Sequence, residues 1–321
     1  MKVVVSMGDV VQVDGLSEEQ ISRIRSVSED LEIVVASTDE ALDQHLPTAE
    51  IILGRFNRSM YEKAKNLKLV MVEGAGIDTL LFDEFVNSDV TLVSAKGTVG
   101  THLADHSWAL LLALLRGVQK AIRAGSWEVR RQVRAEAWEL GGKTLGVVGL
   151  GGVGIECAKR AQGFDMNVIA VDPEDIPKPS FVSEVWGLER FYELLEQSDV
   201  VMNCTPLTKE TRGMFNMEAF RHMRPHAYLI NVTRGPIVND VDLVQALSEG
   251  LLGGAGLDVT PEEPLPADHP LWTLPNVIIT PHASGGSPLR LDRWIELACE
   301  NLRRYLSDGQ LLSVIDKDKQ Y

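Results

Sequence analysis

The chain has 321 residues, 45 % of them apolar and 24 % charged, and a formal net charge of −15. That composition suits a soluble protein of about two domains, and the acidic balance argues against a nucleic-acid surface, which needs a basic patch. Cys157, Cys204 and Cys299 are widely separated and form no CxxC pair, so neither a zinc site nor a disulfide framework is supported, and a reduced, cytoplasmic protein is expected.

The N-terminal stretch MKVVVSMGDV runs straight into a strand-like segment and lacks the apolar core of a signal peptide. Apolar strand-length runs then alternate with amphipathic helix-length segments, the pattern of a mostly parallel α/β sheet. In the first hundred residues the expected strands are Lys2–Ser6, Leu31–Val35, Ile51–Leu53, Leu69–Val72 and Thr91–Val93, with helices such as Ser17–Ser26 and Arg58–Lys65 between them. A helix over Thr101–Arg116 has apolar residues around most of its circumference and should be buried. A charged stretch, Trp127–Trp138, leads to Gly141-Gly142.

A second α/β series begins at Thr144. Its expected strands are Thr144–Leu150, Asn167–Val171, Val200–Asn203, Tyr228–Val232, Gly254–Leu257 and Val277–Thr280. A last helix over Pro288–Leu306 precedes an apolar segment, Leu311–Ile315, with no sequence neighbour to pack on; it should return to the first domain. The expected architecture is therefore two doubly wound α/β domains with parallel sheets, 101–286 inserted into a discontinuous domain made of 1–100 and 287–321.

Gly149-Leu150-Gly151-Gly152-Val153-Gly154 matches GxGxxG. The context makes it specific: a strand leads in, a helix over Ile155–Gln162 leads out, and the next strand ends in Asp172, roughly 20 residues past the first glycine. Gly149 permits the tight turn, Gly151 lets the backbone approach a pyrophosphate, and Gly154 allows helix and strand to pack closely at a helix N-terminus facing the negative charge. Asp172 suits the adenosine ribose hydroxyls and repels a 2′-phosphate. Pro173-Glu174-Asp175 supplies no cation to receive one, so NAD is expected over NADP.

Three later strands end in polar residues that a scaffold does not need. Arg234 follows one, Asp258 to Glu263 follows the next, and His282 ends the third. Ligands in open α/β sheets bind at the carboxyl ends of strands. An arginine there can fork onto a carboxylate, a histidine can trade a proton with a carbonyl oxygen, and a carboxylate can orient the ring and favour its charged form. Singly, each residue has a bland reading as a surface charge or a structural histidine; together, behind a nucleotide site, they make a hydride-transfer set.

GLGGVG at 149–154, CTPLTKET at 204–211, NVTRGPIVND at 231–240, GAGLDVTPEEPLP at 254–266 and NVIITPHASGG at 276–286 together resemble the D-isomer-specific 2-hydroxyacid dehydrogenase family over nearly the whole chain. The resemblance implies that Arg234 binds and polarises substrate, that His282 is the acid–base, and that Glu263, in preference to its neighbour Glu262, pairs with it. It further implies that Asp258 contacts the nicotinamide carboxamide and that Gly152 and Val153 meet the pyrophosphate. Thr205, Pro206 and Thr211 would belong to the adenine-side loop, and Val232 and Thr233 would border the nicotinamide. Glu73-Gly74-Ala75-Gly76 resembles the family's substrate loop, in which backbone N–H groups near Ala75 and Gly76 hold a carboxylate. The resemblance also implies a Rossmann-type NAD domain inserted into a flavodoxin-like substrate domain, and a homodimer, with the apolar helix from Thr101 and the Trp127–Trp138 stretch as candidate interfaces. The chain departs from the family in Asp105, where a glutamate is usual, and in a glycine-rich loop after His282.

For the substrate, Glu73 disfavours a distal phosphate; Arg55 and Phe56 are candidate selectors, with a solvated arginine and a packed phenylalanine as equal alternatives, and Arg290 and Arg293 are further candidates. A small 2-oxo acid such as glyoxylate or hydroxypyruvate leads. The alternatives are a non-catalytic NAD(H)-sensing protein like the corepressors of this fold, or a phosphoglycerate-, formate- or phosphite-type dehydrogenase.

Overall fold

A computed structural model of the chain describes residues 1–6 and 16–321. The Met7–Val10 end of the N-terminal stretch lies outside them. Contacts divide the chain into two compact units, Met1–Val99 with Gly286–Tyr321, and Gly100–Gly285.

The first unit is built on strands β1 (Lys2–Ser6), β2 (Glu32–Ala36), β3 (Ile51–Gly54), β4 (Leu69–Met71) and β5 (Thr91–Val93), in the order β2-β1-β3-β4-β5. All are parallel, the flavodoxin-like order. β3 and β4 are buried at every position, as a parallel strand covered on both faces requires. Leu311–Ile315 does not form a strand. It returns beside β5 through one antiparallel bridge, Val314 to Val93, and Ile315 joins the core of this unit. The helix Arg290–Leu306 starts two residues later than the sequence suggested.

The second unit carries β6 (Thr144–Val148), β7 (Asn167–Val171), β8 (Glu184–Trp186), β9 (Val200–Asn203), β10 (Tyr228–Asn231), β11 (Gly254–Leu257) and β12 (Val277–Ile279), in the order β12-β11-β10-β9-β6-β7-β8. The order reverses between β6 and β9, the switch point at which doubly wound sheets bind ligands. The expected pair of parallel sheets in an α/β fold is thus present. β8 was not foreseen, because a three-residue edge strand in a polar stretch carries no period.

β11 reads Gly-Ala-Gly-Leu, poor in side chains for a strand that is fully buried. The reason is the long helix Gly100–Leu115, which lies directly on it: a Cβ on Gly256 would sit 2.9 Å from Leu110 Cβ and 2.8 Å from Ile230 Cδ1. That helix exposes little beyond Asp105 and Ala109, as its apolar circumference suggested. Gly256→Val should therefore overpack this layer, at about 1–3 kcal/mol. Differential scanning calorimetry would read a lower melting midpoint, by roughly 2–4 °C per kcal/mol; an unchanged midpoint would show that helix and strand can part at no cost.

Candidate active site

The glycine loop follows β6. Gly149 has φ +89°, and a Cβ there would press on the Cys204 main chain at 3.1 Å. Gly154 faces the Gly149 carbonyl, which a Cβ would meet at 2.0 Å. Nothing lies within 4 Å of where a Gly151 side chain would be, so the backbone is open there to a bulky anion. The helix begins at Gly152, with Gly151 as its N-cap, three residues before the start expected from sequence. Gly152 and Val153 thus place their N–H groups in the unsatisfied first turn. Asp172, at the end of β7, accepts from Leu150 N at 2.7 Å through Oδ2 and from Glu174 N at 2.9 Å through Oδ1. It anchors the glycine loop while staying half-exposed, and a carboxylate has lone pairs left for ribose hydroxyls. These residues fit a dinucleotide.

Three strand ends carry the remaining groups. β10 and β11 deliver Arg234 and the segment Asp258–Glu263, and the two loops touch at Gly235, where a Cβ would fall 1.9 Å from the Thr260 carbonyl oxygen. Only glycine permits that approach. Thr260 N in turn donates to Glu263 Oε1 at 3.0 Å, and Glu263 Oε2 lies 2.7 Å from His282 Nδ1. The carboxylate that faces His282 is therefore that of Glu263, whereas Glu262 offers only its carbonyl, to the Thr260 hydroxyl at 2.7 Å. With Nδ1 engaged, Nε2 is the ring nitrogen left for a substrate.

His282 sits at φ +51°, a left-handed conformation uncommon for a side-chain-bearing residue. The cause is visible in Asp258, whose side chain has no solvent exposure. Asp258 Oδ1 accepts from the Thr280 hydroxyl at 2.6 Å and from Ala283 N at 2.9 Å, and Oδ2 accepts from Ser284 N at 2.9 Å. His282 N donates to the Asp258 carbonyl at 2.8 Å. His106, on the long helix, reaches Thr280 Oγ1 at 2.8 Å and Asp258 Oδ1 at 3.3 Å. The loop carrying His282 is thus wrapped around one buried carboxylate. Burial alone would push that carboxyl up, but hydrogen bonds from His106, Ser284 and Thr280 outweigh it and hold Asp258 far below the usual carboxylate range.

Other positions named from sequence have partners of their own. Thr205 Oγ1 donates to Asn203 Oδ1 at 2.8 Å, and Thr211 Oγ1 to the Pro206 carbonyl at 2.7 Å, closing the loop after β9. Val232 is buried, and Thr233 bonds Asn231 through N and Oγ1, each at 3.2 Å. In the first unit Arg55 is ion-paired with Asp39. Phe56 is a core residue, 4.9 Å from the Phe85 ring, and not a pocket wall. Arg290 donates to the Glu73 carbonyl at 3.1 Å, and Trp294 to the Val72 carbonyl at 2.9 Å, so the C-terminal helix braces the loop that leads into Gly74-Ala75-Gly76. Burial raises the Glu73 carboxyl, opposed by Arg290. Sequence reasoning passed over His106, Thr280, Asn203 and Asn231; the last three were signalled by polar residues at or just past the ends of apolar strands.

The family model for the D-isomer-specific 2-hydroxyacid dehydrogenase NAD-binding domain matches residues 108–284, more than half of the chain. A glyoxylate reductase of Thermofilum pendens is 33 % identical over 279 residues, covering 84 % of this chain and 80 % of that one. A D-3-phosphoglycerate dehydrogenase of Methanocaldococcus jannaschii is 35 % identical over 86 % of this chain, which spans 53 % of its length. Among solved structures, a D-isomer-specific 2-hydroxyacid dehydrogenase from Xanthobacter autotrophicus, in complex with NADPH and MES, superposes with a TM-score of 0.83 and 27 % identity, covering 100 % of this chain and 99 % of that one.

Asp258→Asn should turn an amide N–H2 toward a main-chain N–H and leave a buried donor unmet, at about 1–3 kcal/mol. Because the folded carboxyl is depressed, its stabilisation is complete above the unfolded value near pH 4 and fades as pH falls through the folded one. The deficit of the variant should therefore be full at pH 7 and shrink on acidification. Melting midpoints across that range would reveal it, and a deficit that grew toward acid would contradict the assignment.

Proposed function

The chain belongs to the D-isomer-specific 2-hydroxyacid dehydrogenase family, and on that premise we propose that it interconverts a small 2-oxo acid and its D-2-hydroxy acid with NAD(H). The observation that carries this reading is the chain Thr260 N to Glu263 to His282 Nδ1, which leaves His282 Nε2 as the proton donor and acceptor. NAD(H), when bound, supplies or accepts the hydride.

In the reducing direction His282 Nε2 gives its proton to the carbonyl oxygen, and in the oxidising direction takes it back from the hydroxyl. Glu263 orients the ring through its contact with Nδ1. Arg234 binds the substrate carboxylate and polarises the carbonyl. Gly149, Gly151, Gly152, Val153, Gly154 and Asp172 hold the dinucleotide, and Thr205, Pro206, Thr211, Val232 and Thr233 border it. The family resemblance adds Gly74, Ala75 and Gly76, whose main-chain N–H groups would receive the substrate carboxylate, and implies a contact of Asp258 with the nicotinamide carboxamide. With its carboxylate already filled by the His282 loop, Asp258 is better read as the support of that loop.

Glyoxylate or hydroxypyruvate is the proposed substrate, supported by the identity to glyoxylate reductases and by Glu73, which is a poor neighbour for a distal phosphate. Purified protein should oxidise NADH with these acids faster than with phosphohydroxypyruvate or phenylpyruvate, and faster than NADPH at equal concentration. His282→Ala should lower turnover by about 10²–10⁴-fold while NADH binding persists. Binding of NADH with no turnover on any 2-oxo acid would instead favour an NAD(H)-sensing protein.

We also propose that the protein works as a cytoplasmic homodimer. Residues 118–136 form short helices with no buried residue, and they expose Ile122 at 75 % and Trp127 at 88 %, an apolar surface of the kind that marks an interface. Light scattering should give twice the chain mass, and Ile122→Glu with Trp127→Glu should halve it; a wild-type monomer would remove the proposal.

A further inference from the structure

Two asparagines face each other in register where β9 and β10 end, Asn203 opposite Asn231. They are 1 % and 0 % exposed. Buried amides at the end of apolar strands carry a desolvation cost, so each polar atom needs a partner. Asn203 Nδ2 donates to Asn231 Oδ1 and to Thr233 Oγ1, each at 3.0 Å. Asn203 Oδ1 accepts from Thr205 N at 3.3 Å and from the Thr205 hydroxyl at 2.8 Å. Asn231 Oδ1 also accepts from Thr233 N and Oγ1, and Asn231 Nδ2 donates to the Arg234 carbonyl at 3.0 Å.

The orientation of both amides is dictated by the main chain. The oxygen of Asn203 must face Thr205 N and that of Asn231 must face Thr233 N, so the one free N–H2 of the network has to point at the Arg234 carbonyl. Arg234 is thereby fixed on both sides: its carbonyl by Asn231, and the residue after it, Gly235, by the Thr260 carbonyl against which it packs. Its side chain adds a third restraint, Nη1 donating to the Thr233 carbonyl at 2.8 Å.

We infer that Asn231 is a positioning residue that sets Arg234 for substrate, with Asn203 locking its amide and joining the Thr205 loop to the same frame. This rests on the assignment of Arg234 to the substrate carboxylate given above. Asn231→Asp is nearly isosteric but turns an oxygen toward the Arg234 carbonyl, converting a tether into a repulsion. Misplacing a substrate-binding group by about 1 Å costs up to ~10²-fold, so kcat/KM for the 2-oxo acid should fall on the order of 10–100-fold, and the inhibition constant of oxamate should rise with it. The NADH dissociation constant, read by fluorescence, should stay within about two-fold, since Asn231→Asp keeps the oxygen that accepts from Thr233 and Asn203 and alters only the bond to the Arg234 carbonyl.

The deciding experiment is a double-mutant cycle of Asn231→Asp with Arg234→Lys in the full-length protein, read as kcat/KM and oxamate inhibition. If Asn231 acts through Arg234, the double variant should be no worse than Arg234→Lys alone. Additive losses would overturn the tether while leaving Arg234 as the substrate ligand. An Arg234→Lys enzyme with unimpaired kcat/KM and oxamate binding would remove the assignment of Arg234, and the inference with it. Should Asn231→Asp not fold, Asn231→Ala completes the same cycle, because it deletes the tether without adding a charge.

Discussion

A carboxylate with no access to water must have its lone pairs filled by the protein, and that requirement shapes the end of the sheet where the reacting groups gather. Asp258 meets it with donors drawn from the segment Thr280–Ser284 and from His106. Those donors come within reach only if the segment bends tightly around the carboxylate, and the bend carries His282 through a left-handed backbone conformation. The imidazole that results is preset by the fold, one nitrogen against Glu263 and the other open. The energy of a buried, hydrogen-bonded charge thus goes into fixing the geometry of the proposed acid–base, a recurring use of local strain.

The second organising feature is close approach of main chain to main chain. Gly100 lies against the Gly152 carbonyl, at a distance where a Cβ would fall at 2.4 Å, and Gly154 and Gly235 make comparable contacts with Gly149 and Thr260. Gly100 joins the long helix to the start of the helix at Gly152, Gly154 closes the glycine loop on itself, and Gly235 joins the Arg234 loop to the Glu263 loop. A side chain would separate them by the width of a methyl group, more than a hydrogen-bonded site tolerates.

Much of this was legible in the sequence, for identifiable reasons. Strands buried on both faces read as apolar runs, so eleven of the twelve strands among the described residues could be named to within a residue or two at each end. GxGxxG with a distant aspartate is a spacing signal, and Arg234, Glu263 and His282 stood out as polar residues after apolar strands. What escaped was whatever depends on partners far apart in sequence. His106 stands between Asp105 and Ser107 in the long helix, and nothing in the sequence indicates Thr280 as its partner. Asn203 and Asn231 terminate strands as polar residues often do, and only the register of β9 on β10 brings them together. Phe56, which follows a strand, reads equally as a selector or as a packed residue, and aromatic packing claims it for the core.

The carboxylate of Asp172 holds the amide of Leu150 inside the glycine loop as well as standing where the ribose would lie. On the proposed reading of Asp172 as the ribose partner, coenzyme discrimination and loop rigidity share one side chain. Evolving this protein toward a phosphorylated coenzyme cannot proceed by exchanging that residue for a neutral or basic one alone, because the same step would leave a main-chain donor without its acceptor in the turn that must grip the pyrophosphate. A second change restoring an acceptor for Leu150 has to arrive first or together with it, which makes the route to altered coenzyme preference a matter of order as much as of charge.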